Sequence, residues 1–89
     1  MITEIALIKD GEPEIFNVDI NLKNYLKAKG RLLLEWQRIN EQLKVYKDKG
    51  IIKTISRPSN KQHQTNLDKL VLVRKIIRRA IKKINALYY

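Results

Sequence analysis

The stretch Lys69–Tyr89, KLVLVRKIIRRAIKKINALYY, decides how this chain folds, and it carries seven basic side chains and no acidic one. Placed on a helix at about 100° per residue, it divides into two halves. Leu70, Val73, Ile76, Ile77, Ala80, Ile81, Ile84, Leu87 and Tyr88 share one half of the circumference. Arg74, Lys75, Arg78, Arg79, Lys82 and Lys83 fill the other. The pattern predicts an amphipathic helix over 67–87 with one face for a core and one for an anion. Asn66 or Thr65 is placed to cap it, and Asp68 suits the positive end of its dipole.

The apolar half needs a mate, and residues 22–49 supply one. Leu22, Tyr25, Leu26, Leu32, Leu33, Trp36, Ile39, Leu43 and Tyr46 repeat at three and four, the spacing of a core-facing stripe. Asp19 or Asn21 can cap this helix, and Gly50 stands where a left-handed residue ends one. Gly30 costs a helix about 1 kcal/mol relative to Ala and marks a bend or break on the polar side.

Residues 2–18 read as a β-hairpin, because Asp10-Gly11 is a strong two-residue turn signal between β-prone runs. That turn sets Lys9 opposite Glu12, Leu7 opposite Glu14, Ala6 opposite Ile15 and Ile5 opposite Phe16. Charges of opposite sign flank the turn and apolar pairs follow, an order that favours cross-strand pairing. Pro13 then falls where its missing N–H points outward. A short helix over Glu4–Ile8 is the competing reading. Residues 51–56 form a short strand that could join the hairpin's sheet, and Arg57–Thr65 reads as a polar loop.

The expected fold is therefore α+β, mainly α, in a single small domain over residues 1–89. An acidic N-terminal hairpin (1–20) packs on an antiparallel pair of long amphipathic helices, with a strand or loop at 50–66 between them. A chain of 89 residues buries only about 60–65% of its unfolded surface, so a homo-oligomer would help its thin core.

The formal charge of +10 is an electrostatic footprint of the kind that nucleic-acid binders carry. It is uneven: residues 1–20 hold five acids against one Lys, so all the excess positive charge lies beyond Ile20. Thirteen Lys, thirteen Ile and seven Asn also match the coding bias of an AT-rich genome. The six Arg escape that objection, and four of them, Arg57, Arg74, Arg78 and Arg79, lie beyond residue 56.

On the C-terminal helix Arg74, Arg78 and Lys82 step by four, and Lys75, Arg79 and Lys83 step by four beside them. Such rows put charges about 6 Å apart, of the order of the phosphate spacing along a strand. Like charges at i, i+4 repel when nothing is bound, and ordinary solvated faces mix both signs. Lys23, Lys27, Arg31 and Arg38 make a second, weaker stripe on the first helix, diluted by Glu35 and Glu41. Arg57 and Lys61 add two bases in the connector, where a plain loop is the simpler reading.

Phe16, Tyr25, Trp36 and Tyr46 fall on apolar faces and read as core, whereas Tyr88 and Tyr89 at the chain end read as exposed. Catalysis finds little footing: His63 is the sole histidine and stands in the polar loop, with no phosphate loop or dinucleotide fingerprint nearby. Glu12 and Glu14 suit cross-strand pairing better than acid–base work. Without cysteine there is no disulfide or Cys-zinc site, and the apolar runs are too short to cross a bilayer. The N-terminal residues lack the basic start of a signal peptide.

These features predict a cytoplasmic, non-enzymatic protein with no cofactor or metal that binds DNA or RNA through phosphate contacts. The alternative is an assembly or protein–protein module, either self-associating or docked on an acidic protein partner, of the kind a virus or mobile element encodes. The acidic hairpin would then be solvated surface or a contact with a neighbouring copy. A membrane-surface helix ranks third: the apolar half of the C-terminal helix lacks Trp and already has a mate in Leu22–Tyr46.

Overall fold

The chain reverses at Asp10-Gly11 with both residues in the left-handed region, φ 52° and 78°, as a type I′ hairpin turn requires. A computed structural model describes residues 1–49, 52–54, 57–58 and 61–88, with side chains described in 1–49 and 64–88. Strands β1 (Ile2–Lys9) and β2 (Glu12–Asp19) pair antiparallel in the expected register. Lys9 faces Glu12, Leu7 faces Glu14, Ala6 faces Ile15 and Ile5 faces Phe16. The competing helix over Glu4–Ile8 is not formed. At the open end Ile20 N–H donates to the Met1 carbonyl at 2.7 Å.

Helix α1 (Tyr25–Asp48) begins three residues later than its apolar pattern suggested. Two asparagines explain the delay, since their side chains compete with the helix for backbone partners. Asn24 Oδ1 accepts the Asn21 N–H at 2.7 Å, and Asn21 Oδ1 accepts the Lys23 N–H at 2.9 Å. Asn24 also donates from Nδ2 to the Asp19 carbonyl at 3.0 Å. Neither Asp19 nor Asn21 is the cap. Asn24 holds that position with its side chain turned back, making no cap hydrogen bond. The helix runs through Gly30 without a break. Gly50, the expected terminator, lies outside the described residues.

Strand β3 (Ile52–Thr54) does not extend the hairpin's sheet. It pairs with β4 (Arg57–Pro58) in a separate two-stranded sheet, with a register irregularity between Ile52 and Thr54. A partner a few residues away costs little loop closure. The proposed polar loop is therefore part strand and part helix.

Helix α2 (Lys61–Tyr88) starts six residues before the apolar period does. Lys61-Gln62-His63-Gln64 contains good helix formers and no breaker, yet offers no apolar residue for periodicity to detect. Thr65 and Asn66 thus lie inside the helix rather than capping it, and His63 belongs to the helix rather than a loop. Asp68 accepts a bond from Gln64 Nε2 at 2.6 Å, one turn away.

Leu67, Leu70, Val73, Ile76, Ile77, Ala80 and Ile84 of α2 are buried with Leu32, Ile39 and Leu43 of α1 and with Ala6 and Ile20 beside them. The helices run antiparallel, as contacts along their length show. Tyr25 stacks on Tyr88 with ring centroids 5.1 Å apart, Arg74 lies over Trp36, and Tyr46 lines a pocket with Asn66 and Leu70. The hairpin packs mainly on α2, through β1. The molecule is elongated, 44 × 20 × 19 Å, in keeping with a 24-residue helix of about 36 Å.

The buried stripe of α1 is narrower than the sequence implies. Leu22, Leu26 and Leu33 are exposed, and the stripe runs instead through Ala28, Leu32, Glu35, Ile39, Leu43 and Tyr46. Between Leu26 and Leu34 apolar residues occur nearly all round the helix, so their period does not fix its rotation. Phe16 is likewise exposed, and Tyr88 is half-buried with its hydroxyl donating to the Ile20 carbonyl at 3.2 Å. Tyr89 lies outside the described residues. No helix is long and apolar enough to cross a membrane among the described residues.

Candidate nucleic-acid interface

The core-facing stripe of α2 fixes the rotation of that helix, so the side chains between its apolar positions point outward. Lys75, Arg78, Arg79, Lys82 and Lys83 are exposed, and Arg74 is half-buried at the edge. Among the described residues, none of these six side chains forms an ion pair or a hydrogen bond. The seventh basic residue of the stretch, Lys69, is different. It donates from Nζ to Glu12 Oε1 at 2.6 Å and ties α2 to the acidic hairpin.

Arg74 has an aromatic partner instead of an acid. Its guanidinium carbon lies 5.2 Å from the centroid of the Trp36 ring on α1, within cation–π range. One turn further along α2, Arg78 and Lys82 rim a shallow groove of about 200 Å³ walled by Leu33, Trp36 and Ile81. The inner basic row thus runs along the seam between the helices, and the row Lys75, Arg79, Lys83 lies on the outer side of α2.

The second stripe does not join this face. Lys27, Arg31 and Arg38 stand roughly 140–180° around α1 from Trp36. Arg31 lines a cleft with Ile5, Phe16 and Val18 of the hairpin, and Arg38 lines another with Ile8 and Glu35. Arg38 also donates from Nη1 to Glu35 Oε2 at 3.3 Å, so part of its charge is answered internally. Lys23 is exposed in the turn before α1. Arg57 belongs to β4 and Lys61 opens α2, with side chains outside the described residues.

Two features here were not read from the sequence. Glu35 is a buried carboxylate rather than a surface acid diluting a basic stripe, and it also accepts the Ile8 N–H at 3.3 Å. Its place three after Leu32 and four before Ile39 is the signal that identifies a core position. The apolar groove is the other: Leu33 and Ile81 are on separate helices, and only the packing brings them together. No protein-family model, curated protein or solved structure matches this chain.

Proposed function

We propose that this chain is a non-enzymatic nucleic-acid-binding protein that grips phosphate backbone with the outward face of α2. The observation that carries this reading is the row structure of Arg74, Lys75, Arg78, Arg79, Lys82 and Lys83. All six are without an acidic partner among the described residues. A helix with four like-charged i, i+4 pairs is stabilised when an external polyanion neutralises them. Contacts of this kind position a nucleic acid without reading its sequence, so low sequence specificity is expected. A cysteine-free chain suits the reducing cytoplasm, where nucleic acid is at hand.

Fluorescence anisotropy against duplex DNA, single-stranded DNA and RNA tests the proposal. Binding at micromolar concentration or tighter is expected at low salt, and six phosphate contacts give a log–log salt slope of about −5 on duplex DNA. Absence of binding at about 50 mM salt, where such contacts are strong, sinks the reading.

A second reading is favoured by exposed leucines in α1 and in the turn before it. Leu22, Leu26 and Leu34 are each at least 60% exposed, a surface that suits self-association or a protein partner. Neutralising Arg78, Arg79, Lys82 and Lys83 separates the two readings. Loss of nucleic-acid binding with the fold intact supports phosphate contact, and an unchanged oligomer with no nucleic-acid binding in either protein supports assembly.

A further inference from the structure

The groove on the helix seam has a composition that phosphate contacts alone do not call for. Leu33, Trp36 and Ile81 wall it, and Arg78 and Lys82 of the basic face border it. Leu33 is 42% exposed, so an apolar surface stands open to water beside two unpaired cations. Trp36 and Ile81 are partly buried and pack against the core, whereas Leu33 is not part of that cluster. Arg74 over Trp36 holds the indole against the seam and limits its freedom to turn away.

Apolar wall, fixed aromatic ring and adjacent cations are the elements by which proteins hold unpaired bases. A duplex offers its phosphates while its bases stay stacked inside, whereas a single strand offers both together. Resting on the phosphate-contact reading above, we propose that this face prefers single-stranded nucleic acid. One unpaired base enters the Leu33–Trp36–Ile81 groove while neighbouring phosphates meet Arg78 and Lys82. The charge of the rim selects the polyanion, and the apolar wall selects the exposed base.

Trp36 is the sole tryptophan, so its emission reports on the groove directly. The full chain is titrated with oligothymidine and with an abasic oligonucleotide of equal length and charge. Oligothymidine is expected to bind roughly tenfold tighter than the abasic strand and to quench Trp36, while the abasic strand binds without quenching. Leu33→Gln, at an exposed position with its fold checked by circular dichroism, should lower oligothymidine affinity to the abasic level. Its affinity for the abasic strand should not change.

Equal, salt-dependent affinity for both strands with no change in Trp36 emission overturns the base groove and leaves the phosphate face standing. Absence of binding by either strand at low salt overturns both. A dimer in sedimentation that Leu33→Gln dissociates, with no base preference, assigns the groove to a second copy and likewise overturns the proposal.

Discussion

Glu35, on the buried side of α1, accepts a hydrogen bond at 3.3 Å from the backbone N–H of Ile8 on β1. The register explains why this donor is free. Ile8 lies opposite Pro13, and that pair points its ladder groups away from the partner strand, where Pro13 lacks an N–H in any case. One carboxylate thereby closes the outer edge of the hairpin against the helix.

Replacing Glu35 with Ala should therefore destabilise the fold through the orphaned donor. The expected cost is about 1–3 kcal/mol, which lowers Tm by roughly 4–8 °C per kcal/mol in a domain of this size. Glu35→Gln keeps an acceptor and should recover most of the loss. Thermal melts followed by circular dichroism check both, and a Glu35→Ala variant as stable as the parent contradicts the assignment.

Gly30 offers the opposite outcome. It is helical, a Cβ placed there meets nothing within 4 Å, and its φ is not positive. Gly30→Ala should raise stability by about 1 kcal/mol, read as a higher denaturation midpoint with an unchanged m-value. A fall in the midpoint would show that the residue serves a closer approach than the monomer contains.

At the other end of the seam, Tyr88 stacks on Tyr25 and donates to the Ile20 carbonyl. Tyr88→Phe keeps the ring contact and should cost about 1 kcal/mol for the missing hydrogen bond. Tyr88→Ala should cost more, since the ring pair adds about 0.5–1.5 kcal/mol beyond its buried area. Equal melting of the two variants would mean that the stack contributes nothing.

The two basic stripes should behave differently in binding. Lys75→Gln, Arg79→Gln and Lys83→Gln together should reduce the salt slope by about 3, at roughly 0.9 for each phosphate the helix no longer neutralises. The matching triple at Lys23, Lys27 and Arg31, none of them on α2, should leave the slope nearly unchanged. Salt-titrated anisotropy on one duplex compares them, and an equal reduction from both would extend the interface around α1.

Local chemistry explains which parts were legible from residues alone. Asp10-Gly11 fixed the hairpin and its register, because a two-residue turn leaves one pairing that keeps apolar residues together. The C-terminal apolar stripe was legible because cations interrupt it cleanly, leaving one rotation of α2. On α1 the leucines at 26, 32, 33 and 34 allow several rotations, and choosing among them takes the hairpin and α2 together. Glu35 is ambiguous in sequence, because its charge suggests surface while its spacing marks the core. The start of α2 and the β3–β4 pairing carry no periodic signal, so tertiary context decides them. The groove arises from residues 48 apart in sequence, Leu33 and Ile81, and no local pattern announces such a meeting.

The cation rows of α2 also govern how the fold responds to its medium. Each like-charged pair one turn apart costs the free helix a few tenths of a kcal/mol, and dissolved electrolyte screens that repulsion. Added salt should therefore raise the melting temperature while it loosens the grip on a polyanion, so folding and binding answer the same ions with opposite sign. Electrolyte and polyanion become substitutes for one missing partner. The free protein melts most easily in dilute buffer, the condition in which a captured polyanion would steady it most.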